Sequence, residues 1–316
     1  MRRSQAPATR LRFAALALVA GAGIATGALA QSIEPRSLSN APIGSSFVIV
    51  GAAVTDGGLS TDPALPLTDP ELRTTSGVIA YARFFDFFGK SAKFDIIAPY
   101  TFLSGEARFN GEPVEREISG LADPALRLAV NFYGAPALTA EEFATYRQGL
   151  IFGGSVQVTP PVGQYDETRL VNIGMNRWTV KTELGVSRAI AAWTFEFKGA
   201  ATLFTDNDDF FGGRKREQEP IYSSQGHAIY NFRGGRWASF DVTWFTGGQT
   251  TLDGASKNDL QRNWRAGATF AFPINPKNSI KLYASRGLSA RTGNDFDLLG
   301  IAWQRRWMAG RSGSTR

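Results

Sequence analysis

From residue 45 onward, apolar and polar residues alternate with a period of two, which is the period of a β-strand. The segment 125–133, ALRLAVNFY, places leucines, valine and phenylalanine on one face and arginine, alanine and asparagine on the other. A tilted strand needs about 9–11 residues to cross a bilayer, and most of the alternating segments have about that length. Twelve predicted strands result, at 45–53, 76–86, 93–102, 125–133, 149–159, 178–188, 193–204, 221–232, 236–245, 263–272, 279–286 and 296–307.

Alternation alone does not separate a transmembrane β-barrel from a soluble β-sandwich or soluble barrel, in which the apolar faces point inward. The links between strands favour the membrane. Links after odd strands are long, at 54–75, 103–124, 160–177, 205–220, 246–262 and 287–295. Links after even strands are mostly short, at 87–92, 189–192, 233–235 and 273–278. Outer-membrane barrels pair long extracellular loops with short periplasmic turns, so the pattern predicts an antiparallel up-and-down barrel with both termini in the periplasm.

The N-terminus has the features of a secretory signal peptide, predicted over residues 1–30. Four arginines and no acidic residue precede an apolar run at 13–30, which ends in the cleavage pattern Ala28-Leu29-Ala30. A transmembrane anchor is the alternative, but the run is short and rich in small residues. Removing this segment lowers the net charge from +6 to +2, so the basic pI is no argument for nucleic-acid binding. The absence of cysteine excludes disulfides, thiolate metal sites and a cysteine nucleophile.

Tryptophan placement agrees with a membrane location. All seven tryptophans fall near the ends of predicted strands, where amphipathic rings meet the lipid headgroups. The predicted aromatic girdle comprises Trp178, Trp193, Trp244, Trp264, Trp303 and Trp307.

If the apolar faces meet lipid, the polar faces line the lumen. The candidate lumen-lining residues are Arg83, Asp95, Arg127, Lys181, Glu183, Glu196, Lys198, His227, Asp241, Arg265 and Lys281. These charges could contact a solute or could simply neutralise one another. Across the hairpin at 189–192, we expect Leu184 to face Phe197 and Glu183 to face Lys198, because opposite charges on neighbouring strands stabilise a sheet.

Signs of catalysis are few. His227 is the only histidine and falls on the polar face of its strand. A barrel hydrolase could pair it with a serine or carboxylate, but no motif marks such a partner. We therefore predict no catalytic residue, no cofactor and no metal.

The loop 205–217, TDNDDFFGGRKRE, mixes acidic and basic clusters. Asp206, Asp208 and Glu217 match three spacings of a calcium loop, but phenylalanines stand where the motif requires a ligand and a glycine. The basic run at 214–216 could instead pair with lipopolysaccharide phosphates, since arginine suits phosphate. A calcium site and a lipopolysaccharide contact therefore both remain open, and a solvated loop tip that binds neither is the third alternative.

The remaining boundaries follow from the strands. Residues 31–44 are predicted to be an N-terminal periplasmic segment, 45–307 the transmembrane barrel and 308–316 a C-terminal tail.

The link at 134–148 follows an even strand but is long, unlike the other links after even strands. Thr139 with Glu142 forms a capping-box pattern there, which predicts a short periplasmic helix.

Several motifs resemble a known family of outer-membrane proteins. They are NAPIG at 40–44, GKSAKFDIIAPY at 89–100, SGLADPALRLAVNFYGAPAL at 119–138, TPPVGQYD at 159–166, NIGMNRW at 172–178, TDNDDFFGG at 205–213, NSIKLYASRG at 278–287 and AWQRR at 302–306. The chain resembles the MetA-pathway phenol-degradation transporter family, and the resemblance spans nearly the whole mature chain. It implies an outer-membrane barrel that admits aromatic or other organic solutes, and it supplies no catalytic or binding residues.

These observations predict a passive channel for small organic solutes in the bacterial outer membrane. The expected partners are membrane lipid, lipopolysaccharide, the solute and the barrel assembly machinery, with no nucleic acid. A structural or adhesive barrel with a blocked lumen is the main alternative, and a barrel hydrolase is a further one.

Overall fold

The computed structural model describes residues 33–60, 67–109 and 112–308. The predicted signal peptide at 1–30 and residues 309–316 of the predicted tail 308–316 lie outside these ranges, and Met308 ends the last strand. The described residues form strands β1 (Ser45–Ser60), β2 (Leu67–Phe87), β3 (Lys90–Phe109), β4 (Glu112–Leu121), β5 (Ala125–Tyr133), β6 (Leu150–Thr159), β7 (Thr179–Ile190), β8 (Trp193–Phe204), β9 (Asn207–Phe210), β10 (Arg214–Gln218), β11 (Ile221–Asn231), β12 (Trp237–Gly247), β13 (Thr250–Leu252), β14 (Ala255–Ser256), β15 (Gln261–Asn275), β16 (Asn278–Ser289) and β17 (Gly293–Met308), with helix α1 (Ala140–Phe143) and a 3₁₀ turn (Arg233–Gly235).

Thirteen of these strands form one antiparallel sheet that closes on itself. β4 and β5 both pair with β3 and together take the place of one interrupted strand. The barrel therefore has twelve strand positions, as predicted. The first strand and the last, β1 and β17, pair along their whole length and close the barrel. Closure pairs each of the other twelve strands on both sides, and within the described ranges only β4 pairs on one side alone, with β3.

The strands around the closure point are longer than the alternation predicts. β2 and β3 run together from the turn at 88–89 to Leu67 opposite Phe109, well past the predicted ends. Their added portions carry charged residues such as Arg73 and Glu106 instead of an apolar face. Hydropathy therefore could not show that the hairpin continues beyond the bilayer.

The loops 205–220 and 246–262 contribute a second, four-stranded sheet in the order β14-β13-β10-β9. β10 joins the two loops by pairing with β13, from Arg216 opposite Leu252 to Gln218 opposite Thr250. The loops after β8 and β12 are thus an ordered unit at the long-loop end of the barrel.

The link 134–148 contains the predicted helix. Thr139 caps α1, since its Oγ1 accepts a hydrogen bond from the amide of Glu142 at 3.3 Å. The Glu142 carboxylate in turn accepts one from the Thr139 amide at 2.8 Å. The capping box is confirmed.

The outer surface of the barrel is apolar and its ends carry aromatic rings. Exposed large apolar side chains alternate with buried ones along the strands, as in Leu126, Leu128 and Phe132 of β5. Five predicted girdle tryptophans lie on this outer face of strands, and Trp178 directly precedes β7. The seventh, Trp237, points inward and is fully buried. Within the described ranges, no helix is long and apolar enough to span a membrane.

The predicted register of the β7–β8 hairpin is wrong by two residues. Val186 faces Phe197, and Gly185, rather than Glu183, faces Lys198. The strands continue to Ile190 opposite Trp193, so the turn has only two residues, with Ala191 at φ 53°. A slip of two preserves which side chains point inward, so alternation could not detect it.

Candidate functional site

The interior of the barrel is lined by charged and polar side chains over most of its circumference. Ten of the eleven predicted lumen residues are buried within it: Asp95, Arg127, Lys181, Glu183, Glu196, Lys198, His227, Asp241, Arg265 and Lys281. They come from strands β3, β5, β7, β8, β11, β12, β15 and β16. Their alternation with exposed apolar neighbours identifies this polar face as the inner one.

The prediction for Arg83 is wrong. Arg83 is exposed on the outer face of β2, while its neighbours Ala82 and Phe84 are buried inside. It lies near the turn that joins β2 to β3, where a long side chain can extend to the headgroups. The error arose because the inner face of β2 is itself apolar, so polarity did not indicate direction.

One sector of the lumen wall is apolar, and the alternation of residues does not reveal it. We call this sector the apolar arc. It packs together inward side chains of β1, β2, β3, β5 and β17, namely Phe47, Ile49, Val78, Ala80, Ala82, Phe84, Ile97, Ala125 and Ala302. A strand with apolar residues on both faces has no alternation to reveal its inner side. The lumen is therefore two-sided, with the apolar arc on one side and charged groups on the other.

The charged side contains a cluster that we call the basic group: Lys93, Arg127, Lys181 and Lys198. Two wall carboxylates hold it in place. Asp95 accepts a hydrogen bond from Nε of Arg127 at 2.7 Å and lies 3.3 Å from Nζ of Lys93. Glu183 lies 3.5 Å from Nζ of Lys198 and 3.8 Å from Nζ of Lys181.

The segment 33–44 lies inside the barrel against this group. The Glu34 carboxylate forms an ion pair with Nη1 of Arg127, and Nζ of Lys198 donates to the Glu34 carbonyl at 3.1 Å. The Arg36 amide donates to Glu196 at 2.8 Å, and its guanidinium lies 5.3 Å from the ring of Trp237. These contacts join the segment to strands on several sides of the lumen.

The rest of the segment leads from the lumen to the start of β1. Leu38 packs with Ala135 and Ile151, and its carbonyl accepts a hydrogen bond from Asn131 at 3.1 Å. The sequence predicted a periplasmic location for 31–44, and the described part, 33–44, instead enters the barrel. The sequence of residues 33–44 has no periodicity, so it did not indicate that the segment lies inside the barrel.

His227 belongs to a buried hydrogen-bonded chain on β11 and β12. Its Nδ1 lies 2.7 Å from Oδ1 of Asp241, and Oδ2 of Asp241 accepts from Ser239 at 2.9 Å. The serine therefore sits beyond the carboxylate, on the side away from the imidazole. A nucleophile would have to lie at Nε2, which has no hydrogen-bond partner among the described residues.

At the long-loop end, Arg177 is buried beside Phe204. Its guanidinium carbon lies 4.4 Å from the ring centroid, and one terminal nitrogen bonds to Gln218. Within the described chain it forms no ion pair. Burial holds the pKa of Arg177 well below its ordinary value, and the nearby charge of Arg216 lowers it further.

Within the loop 205–217, Lys215 pairs with two acidic side chains of the same loop. Nζ of Lys215 lies 2.7 Å from Asp206 and 3.1 Å from Glu217, two of the three candidate calcium ligands. Arg214 and Arg216 stack over Phe211 and Phe210. In the part of the chain that the structure describes, no group of acidic, histidine or cysteine side chains could hold a metal ion.

A closed antiparallel barrel with an apolar outer band, aromatic rings at its rims and a charged interior is a transmembrane β-barrel of the bacterial outer membrane. The chain belongs to the family described as "Putative MetA-pathway of phenol degradation", whose model matches residues 51–305. Its resemblance to this family is thereby confirmed.

The chain is similar to several solved structures, and the first named below shares its fold. The COG4313 outer membrane channel from Pseudomonas putida F1 has 18% sequence identity and a TM-score of 0.72, over 87% of this chain and 100% of that one. The β domain of the Bordetella autotransporter BrkA has 9% identity and a TM-score of 0.49, over 83% of this chain and 100% of that one. A search of curated protein sequences gave no match.

Proposed function

We propose that this protein is a passive channel that admits small organic solutes through the lumen of its barrel. The two-sided lumen is the observation that carries the proposal. A solute with an apolar body and a polar group finds apolar side chains such as Ile49 and Val78 on one side of the lumen. It finds charged hydrogen-bonding partners on the other. Membership of a family named for phenol degradation supports aromatic or phenolic compounds as the solute class.

The segment 33–44 is the barrier on this route. Side-chain and backbone contacts hold it in the lumen, and Glu34–Arg127 and Arg36–Glu196 are among the polar ones. A solute or water molecules that offer the same hydrogen bonds can replace these polar contacts. The segment therefore acts as a displaceable obstruction, and the wall itself stays closed.

Flux through proteoliposomes tests the proposal. The folded protein should release phenolic, aromatic or small polar solutes faster than protein-free vesicles do. No release above that background, from a preparation whose folding is verified by heat-modifiable gel mobility, would contradict a channel function and favour a structural or adhesive barrel with a blocked lumen.

A disulfide tether tests the route. The chain contains no cysteine, so the pair Leu38→Cys with Ile151→Cys introduces the only thiols. These two side chains pack in one buried cluster. Oxidation should slow solute release and reduction should restore it, while each single-cysteine variant should respond to neither treatment. Equal release in both redox states would place the route elsewhere.

We propose no catalytic role for the barrel. A hydrolase would require a nucleophile at Nε2 of His227, and Ser239 bonds to Asp241 instead. His227→Ala should leave any hydrolytic background of the preparation unchanged. A loss of hydrolysis in that variant would revive the enzyme hypothesis.

We propose that the apolar outer band contacts membrane lipid and that the ordered loops face lipopolysaccharide. Arg214 and Arg216 are the candidate phosphate partners, since Lys215 is already neutralised by two carboxylates. The barrel assembly machinery is the expected partner during insertion.

A further inference from the structure

We propose that Glu34 occupies a carboxylate-binding site in the lumen wall, and that the same site binds the carboxylate of small apolar organic acids. The inference rests on the proposed channel function and names the class of solute that the channel prefers. It follows from three features of the site: the ligand already bound there, the charge of its surroundings, and the surface next to it.

The first feature is the bound carboxylate itself. Nη1 of Arg127 pairs with Glu34, and the remaining terminal nitrogen, Nη2, is buried without a hydrogen-bond partner in the described chain. A guanidinium offers a fork of donors that matches a carboxylate in two-point contact. A free carboxylate can use both nitrogens, whereas Glu34, fixed to the segment, uses one.

The second feature is the charge balance. Among the described side chains, the four cations of the basic group form ion pairs with two wall carboxylates, Asp95 and Glu183. Glu34 supplies the third negative charge from outside the wall. When the segment withdraws, Arg36 leaves with Glu34, but the four cations of the basic group keep only their two paired carboxylates. The positive charge left on this group lies in a buried setting, where anions are attracted more strongly than in water.

The third feature is the neighbouring apolar surface. Asp95 faces Arg127 across β3 and β5, and two residues further along the same strands Ile97 faces Ala125. Both members of this second pair belong to the apolar arc. A ligand whose carboxylate replaces that of Glu34 can therefore lay an aromatic or short aliphatic body on the arc.

Glu34 thus imitates the solute that it excludes. The segment and an organic acid compete for Arg127, so a carboxylate solute favours the displaced state of the segment, whereas a neutral analogue does not. This follows because a ligand shifts a conformational equilibrium only through its different affinities for the two states.

Calorimetric titration of the folded protein in detergent micelles tests the competition, with sodium benzoate as the probe and benzamide as its neutral analogue. Glu34→Gln removes the competing charge and leaves the wall intact. We expect this variant to bind benzoate about tenfold more tightly than the wild type, as for loss of a charged competitor. Benzamide binding should not differ between the two proteins.

Asp241→Asn is the matched control. It adds the same positive charge to the lumen, but Asp241 pairs with His227 and has no contact with Glu34 among the described side chains. An equal gain in benzoate affinity in both variants would mean that net charge alone attracts the anion, and would overturn the proposal. The double variant Glu34→Gln with Arg127→Gln should lose the gain in benzoate affinity. If that double variant does not fold, Glu34→Gln with Lys198→Gln takes its place and should also lose the gain.

Solute release from proteoliposomes, measured in parallel, separates the two proposals. Release with no difference in benzoate affinity between wild type and Glu34→Gln would overturn the carboxylate site and leave the channel standing. Benzoate binding without release of any solute would contradict the channel function itself.

Discussion

Nε of Arg127 donates a 2.7 Å hydrogen bond to Oδ2 of Asp95, directly opposite on the neighbouring strand, with both side chains buried in the barrel. The same guanidinium pairs with Glu34 of the N-terminal segment. Arg127 is thus the point at which the wall and the obstruction in the lumen meet. A change there affects both the stability of the barrel and the position of the segment.

Arg127→Met should be strongly destabilising. It leaves Asp95 and Glu34 as buried carboxylates without their arginine, and removal of one member of a buried ion pair costs about 3 kcal/mol or more. Equilibrium unfolding by guanidinium chloride in phospholipid vesicles measures the loss. Arg177→Met is the control, because Arg177 is also buried but forms no ion pair in the described chain. We expect a smaller cost for it, about 1–2 kcal/mol, because the variant loses the hydrogen bond to Gln218 but leaves no buried carboxylate unpaired. Equal losses of unfolding free energy in the two variants would contradict a stabilising role for the ion pairs of Arg127.

Depth in the membrane should govern the effect of a charge on the outer face. Leu184 is 68% exposed in the middle of β7, and Leu288 is 61% exposed one residue from the end of β16. Leu184→Arg should lower the free energy of unfolding by about 2–4 kcal/mol, and Leu288→Arg by about 1 kcal/mol or less. Similar losses at both sites, measured in the same vesicles, would contradict the assigned outer band.

Two glycines with left-handed backbone should respond differently to alanine. Gly134 has φ 77° and a Cβ there would lie 1.8 Å from the carbonyl oxygen of Leu150, whereas Gly89 has φ 76° with open space around it. Gly89→Ala should cost roughly 1–2 kcal/mol from backbone strain alone. Gly134→Ala should cost roughly 1–3 kcal/mol more, because the chain must also move away from β6. Matched denaturant titrations compare them, and a smaller loss for Gly134→Ala would be inconsistent with the packing of the link.

The capping box of α1 should depend on pH. Hydrogen bonds from the backbone and the side chain of Thr139 hold the pKa of Glu142 below its ordinary value. A carboxyl with a lowered pKa stabilises the fold above its unfolded pKa and loses that contribution as pH falls through the folded value. The amide resonance of Thr139 should therefore titrate at a pH below that of a free glutamate. The titration should disappear in Glu142→Gln, and its persistence there would exclude Glu142 as the cause.

The number of strands and the direction of most charged side chains followed from alternation, because lipid outside and charge inside impose opposite polarities on the two faces of a strand. Asp241 and Lys198 are examples of residues placed correctly in this way. Arg83 was misplaced because β2 is apolar on both faces near the closure point. The residues of a strand do not show whether an apolar side chain faces lipid or the apolar arc.

The position of Glu34 could not be predicted either. Its partners Arg127 and Lys198 lie 93 and 164 residues further along the chain. A short segment without periodicity shows nothing of such distant contacts. The register of Val186 with Phe197 failed for a related reason, since a turn of two alanines carries none of the glycine or asparagine signals that fix a hairpin.

The pairing of β1 with β17 joins Ser45 to Met308, almost the full span of the described chain. No earlier part of the polypeptide can substitute for this contact, so the barrel stays open until its final stretch has been translated and exported. A chain that stops before Gly293 keeps two free strand edges, which are prone to pair with other chains. Truncation should therefore yield aggregates and degradation products in place of a smaller working barrel.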